Sequence, residues 1–85
     1  MRLIDFIRQL GFRDVELDDP PNGTVLANNK IEICFGGFPP HQPIQWSIHK
    51  YTLGSWQSKK HTHLGGMTFR ADDPDLQTKV KDFVT

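Results

Sequence analysis

The run IQWSIHKY, residues 44–51, alternates apolar and polar side chains. Alternation is the mark of a half-buried strand, because successive side chains of an extended chain point to opposite faces. Ile44, Trp46 and Ile48 then share one side, and Gln45, Ser47, His49 and Tyr51 share the other. Such a strand belongs to a sheet with one face packed and one face open, which is the habit of antiparallel sheets. The rest of the fold follows from asking what covers the packed face.

The two ends of the chain supply the cover. From Arg2 to Leu10 the apolar residues Leu3, Ile4, Phe6, Ile7 and Leu10 recur at helical spacing, and Gly11 provides a left-handed stop. Near the other end, Asp72 or Asp73 reads as an N-cap and Pro74 as the first helical residue. Leu76, Val80, Phe83 and Val84 then fall on one face of a helix over 74–84.

Between the helices, DVEL, TVLA, IEICF and MTFRA read as further short strands separated by turn-forming residues. In IEICF the residues Ile31, Ile33 and Phe35 point inward and Glu32 and Cys34 outward. In MTFRA the residues Met67, Phe69 and Ala71 oppose Thr68 and Arg70. The segment GGFPPHQP reads as a loop, and so does the long stretch from Gly54 to Gly66. The expected fold is α+β: one domain over residues 1–85, ordered helix, antiparallel sheet of four to five strands, helix, with both helices on one sheet face.

With 85 residues there is material for one small core. An apolar share of 36% and a charged share of 24% are those of a globular protein. No apolar run reaches the roughly 18 residues that a membrane helix needs, so no membrane partner is expected. The start MRLIDFIRQLGF mixes acid and base where a signal peptide would be apolar, and a cytoplasmic setting is the expectation. Cys34 is the only cysteine, which excludes an internal disulfide and a cysteine-based zinc site.

Charge is distributed unevenly under a net charge of zero. From Ile33 through Ala71 there is no acidic residue, yet that segment holds Lys50, Lys59, Lys60, Arg70 and all four histidines. Cations without local partners point to an anionic surface on another molecule. The segment GSWQSKKHTHLGG, residues 54–66, concentrates them: Trp56 reads as an anchor at a loop tip, with Lys59, Lys60, His61 and His63 around it. His49, Tyr51 and Arg70 extend the same surface over the sheet. Histidines there add a dependence on pH.

Enzyme and metal chemistry are less well supplied. His61 and His63 lie two apart on an extended backbone, but no third ligand is beside them, so no metal and no other cofactor is expected. His49, Tyr51, Arg70 and one loop histidine are residue types adequate for metal-free RNA cleavage, without a spacing signature to support it. The element order is similar to that of double-stranded-RNA-binding domains and of small RNase toxins sharing their fold. The residues differ: DVEL and TVLA stand where those toxins carry a catalytic histidine, and the acidic DDPDLQ stands where the RNA-binding domains place lysines. No family is assigned.

The function expected from sequence is therefore a small non-enzymatic binding module. Its partner would be a protein with an acidic or nucleic-acid-binding groove, as for an inhibitor or adaptor of phage or plasmid type that acts on a host protein. Single-stranded nucleic acid is the alternative partner, and a metal-free RNase comes after both.

Overall fold

The computed structural model describes residues 1–18, 21, 23–58, 60 and 62–85. The elements run α1 (Leu3–Gln9), β1 (Arg13–Asp14), β2 (Thr24–Ala27), β3 (Ile31–Phe38), β4 (Gln45–Thr52), α2 (Ser55–Ser58), β5 (His63–Arg70) and α3 (Leu76–Val84). The strands form one antiparallel meander in the order β1-β2-β3-β4-β5. This is the α+β arrangement of a helix, an open antiparallel sheet and a C-terminal helix.

Leu3 and Ile7 of α1 and Val80 and Val84 of α3 pack in one cluster with Leu26, Ile33, Phe35, Ile48 and Phe69 of the sheet. Ile7, Leu26, Ile33, Ile48 and Val80 are fully buried. Gly11 ends α1 at φ +102°, a conformation that costs glycine least. Lys50 also lies on the helix side of the sheet: its Nζ stands 4.3 Å from the Phe83 ring centroid and donates to the Phe83 carbonyl at 2.9 Å.

Several boundaries differ from the sequence expectation. The strand expected over DVEL is reduced to Arg13–Asp14, although the Val15 N–H still donates to the Val25 carbonyl. This is an edge strand, paired with β2 on one side only. Helix α3 begins at Leu76 instead of 74, behind a turn in which Asp73 Oδ1 accepts the Asp75 N–H. Ile44, assigned to the core, precedes β4 and is 72% exposed.

Two glycine pairs expected in loops are strand residues. Gly36 and Gly37 pair with Ser47 and Trp46 inside β3, and Gly65 and Gly66 pair with Lys50 and His49 inside β5. In each pair one glycine is required by a ring that lies where its side chain would be. A Cβ on Gly37 would approach the Pro43 ring to 2.4 Å, and one on Gly66 would approach His49 Nδ1 to 2.5 Å. Glycine weakens a strand on average, but here it admits neighbours that pack onto the sheet.

Candidate functional site

The face away from α1 and α3 carries the outward residues of β3, β4 and β5 in register. Glu32 is paired with Tyr51 and Tyr51 with His63; Cys34 is paired with His49 and His49 with Gly66; Ser47 is paired with Thr68 and Gln45 with Arg70. Residues paired in this way have side chains on the same face. A β-bulge at Lys50/Tyr51 shifts the register, so that His63 stands beside Tyr51.

This face is not wholly open to water. The stretch after β4 turns back over it as α2, and Glu32 holds it there. The Gly54 N–H donates to Glu32 Oε2 and the Trp56 N–H to Glu32 Oε1, both at 3.0 Å. Thr52 Oγ1 and Ser55 Oγ are 2.7 Å apart, and the Thr52 N–H donates to the Thr62 carbonyl. Glu32 is 2% exposed. Its charge is tolerated in that position because both carboxylate oxygens accept backbone N–H groups at the start of a helical turn.

The expectation of a long loop with Trp56 at its tip is corrected by this arrangement. Trp56 lies in α2, half-buried, with its ring edge-on to Tyr51 at a centroid distance of 5.3 Å. A ring of this size gains more from packing on the sheet than from standing in water. Lys60 is exposed, with its backbone N–H near Ser58 Oγ. Lys59 and His61 lie outside the described residues.

His49 and His63, far apart in sequence, meet: His49 Nδ1 and His63 Nε2 are 3.0 Å apart, and Ser47 Oγ is 3.2 Å from His49 Nε2. The bond between the rings needs a hydrogen on one facing nitrogen and a lone pair on the other, so two imidazolium ions cannot keep it. The Tyr51 ring is 5.3 Å from His63, which makes a continuous group of four rings: Trp56, Tyr51, His63 and His49. Burial raises the Tyr51 phenol above its ordinary pKa, and the neighbouring Cys34 adds to the rise. Burial also raises the Cys34 thiol.

Arg70 stands apart from this group. It faces Gln45, four residues along β5 from Gly66 and hence about 13 Å away. Its guanidinium makes two bonds of 3.0 Å to Asp72, which hold the Asp72 carboxyl below its usual range and raise the arginine. Lys50 and Arg70 fall in the acid-free segment, yet both have partners within the chain: Lys50 on the Phe83 ring and carbonyl, and Arg70 on Asp72. The sequence window free of acids ended one residue before the carboxylate that pairs with Arg70.

Two residues of this surface escaped sequence reasoning. Glu32 was placed outward without a role. As the only acid at an outward position of β3, β4 or β5, it raised the question of what neutralises it. Ser47 carried no signal beyond its alternation with His49. Among the described residues no three histidine, cysteine or carboxylate side chains gather closely enough to hold a metal ion.

Chemically, the chain from Ser47 to His49 to His63 has the order of nucleophile, base and orienting group. It lies on an exposed sheet face, and none of its members lines the apolar cavity found on the other side of the sheet. No helix among the described residues is long and apolar enough to cross a membrane. No family model, curated protein or solved structure matches this chain.

Proposed function

We propose that this protein is a non-enzymatic binding module that recognises a protein partner through the open sheet face, with Tyr51, Trp56, His49 and His63 as the contact and Lys60 at its rim. One observation carries the reading: four rings in a continuous chain of contacts occupy a face whose single acid, Glu32, is consumed in capping α2. Aromatic side chains with polar tips, fixed by their neighbours, are the usual energetic centres of protein interfaces. The absence of an exposed carboxylate on these three strands suits an acidic partner surface.

A protein partner is preferred to nucleic acid because two basic residues of the region, Lys50 and Arg70, have partners within the chain. Arg70 is paired with Asp72, and Lys50 is turned toward α3. Few cations remain for phosphates among the described residues, and phosphate contacts supply most of nucleic-acid affinity. An inhibitor or adaptor role fits such a surface.

Two measurements test the proposal. A fluorescent single-stranded oligonucleotide should bind weakly, with little dependence on salt; tight binding with a slope of about −3 or steeper in log K against log salt would assign the face to nucleic acid instead. Affinity capture from lysate should give a partner retained by wild type and by Gln77→Glu, a control on α3, but lost with His63→Glu. A partner retained equally by all three would place the interface elsewhere.

A further inference from the structure

We infer a second binding site, on the opposite side of the sheet and independent of the ring cluster: the free edge of β3 at Gly36–Phe38 takes an extended peptide segment as an added antiparallel strand. Its apolar side chain enters the cavity beside that edge, and its flanking carboxylate meets Arg2.

Three observations meet there. The first is a break in the sheet. The β2 register ends at Thr24 opposite Phe35, while β3 continues through Gly36 and Gly37 to Phe38 with β4 as its only strand neighbour among the described residues. Gly23, the residue before β2, has φ +141°, a conformation outside that of a regular strand. The Phe38 carbonyl accepts the Ile44 N–H, so the backbone groups of Phe38 face β4. Strand residues alternate in this respect, and Gly37 therefore directs its N–H and C=O to the vacant side. An unpaired strand edge of this kind is a template for another strand.

The second observation is a cavity of about 900 Å³ at the same place, lined by Leu3, Ile4, Phe35, Phe38 and Trp46 together with Thr24 and the glycines of the edge. In an antiparallel addition the residue opposite Gly37 exchanges both hydrogen bonds with it and turns its side chain to the same face as Trp46. That is the face of Leu3 and Phe35, so a leucine-sized group has an apolar surface to occupy. The third is charge. Among the described residues Arg2 is the only charged one lining the cavity, its side chain is 78% exposed, and its Nε is bonded to Asp5. The other guanidinium N–H groups are available to a carboxylate.

The probe is the pentapeptide acetyl-Asp-Val-Leu-Val-Asp-amide, acidic at both ends so that a carboxylate is offered whichever flank of the leucine lies beside Arg2, titrated into ¹⁵N-labelled protein. Expected shifts are confined to the amides of Thr24 and Gly36–Phe38 and to the Trp46 indole. N-methylation of the leucine nitrogen, which removes the hydrogen bond to the Gly37 carbonyl, should weaken binding about tenfold. Replacing both aspartates by asparagine should weaken it severalfold, and Arg2→Gln should abolish the difference between the two peptides. Arg2 is exposed, so that variant keeps the fold.

No shift at Gly36–Phe38 with millimolar peptide would overturn the proposal. Equal binding of the N-methylated peptide would also overturn it, because the cavity would then be taking an apolar group without strand addition. So would shifts confined to His49, Tyr51 and His63, which would place the peptide on the open face.

Discussion

The two faces of this sheet are built from alternate residues of the same strands, and they are held by different forces. On one face Leu26, Ile33, Ile48 and Phe69 meet α1 and α3 in a dry cluster. On the other, Glu32 and Tyr51 meet one turn of helix through hydrogen bonds and a ring edge, and Ser47, His49 and His63 are bonded to one another. The first face is non-directional: any apolar set of the right volume would stabilise it. The second is directional, since a carboxylate that misses its two N–H donors would be a buried charge without a partner. A folded core therefore does not guarantee a formed binding surface, and the two faces should fail separately when changed.

The largest effect is expected on the apolar face. Ile48→Ala should cost about 2–5 kcal/mol in urea unfolding, as large-to-small changes in cores do. A domain of this size has little more than that in total, so the variant should be partly unfolded at room temperature. A loss below about 1 kcal/mol would show that the helices contribute less to this face than the burial of Ile48 indicates.

The open face should respond locally instead. Glu32→Ala removes the acceptor of two backbone N–H groups and should cost about 2–3 kcal/mol. Glu32→Gln, which keeps one acceptor oxygen, should cost less. Hydrogen exchange should show the amides of Gly54 and Trp56 opening in both variants while those of Ile33 and Ile48 stay protected relative to the new global stability. If α2 remains protected in Glu32→Ala, the Trp56 ring and not the carboxylate holds it down.

A smaller change probes the ring cluster alone. Gly66→Ala would put a methyl group 2.5 Å from His49 Nδ1, so the imidazole must turn and give up its bond to His63. The cost in stability should be about 1 kcal/mol, at the low end for overpacking because the ring is half-buried and able to move. Partner binding should fall far more than stability does. Loss of the ¹⁵N signature of the shared hydrogen in the paired imidazoles would report the change directly.

The smallest effect concerns Cys34, between the two regimes on the rim of the cluster. Burial disfavours its thiolate and raises its pKa in the folded chain. Alkylation by iodoacetamide should therefore be slower than for an exposed thiol at the same pH, and should accelerate in urea. The sign of the linkage follows: below the unfolded thiol pKa this group contributes no pH dependence, and as pH rises past it stability declines, because the unfolded state ionises first. Equal rates with and without urea would show the thiol to be open to solvent.

Much of the apolar face was legible without coordinates. The helical spacing of Leu3 and Ile7 and of Val80 and Val84, and the alternation through Trp46 and Ile48, each state a period, and a period states which side is buried. The outward placement of His49 and Tyr51 came from the same alternation. What did not come was the company these residues keep. His63 was read into a loop because Gly65 and Gly66 resemble punctuation, and only the His49 ring standing over Gly66 reveals why glycine is needed in that strand. Arg70 was grouped with the histidines by composition, and the turn into α3 gave it to Asp72 instead.

The sequence by itself determined the α+β class, the order of the two terminal helices and the strands between them, and which face of each long strand turns to the helices, because local periodicity and burial are properties of neighbouring residues. Only the tertiary structure decided that Glu32 would reach across 22 positions to the Gly54 N–H, that His49 would bond to His63, and that β3 would outrun β2 and leave an edge bare. Those outcomes depend on register and on directional bonds between distant segments. A one-residue shift in pairing would have moved every one of them while leaving the sequence pattern unchanged.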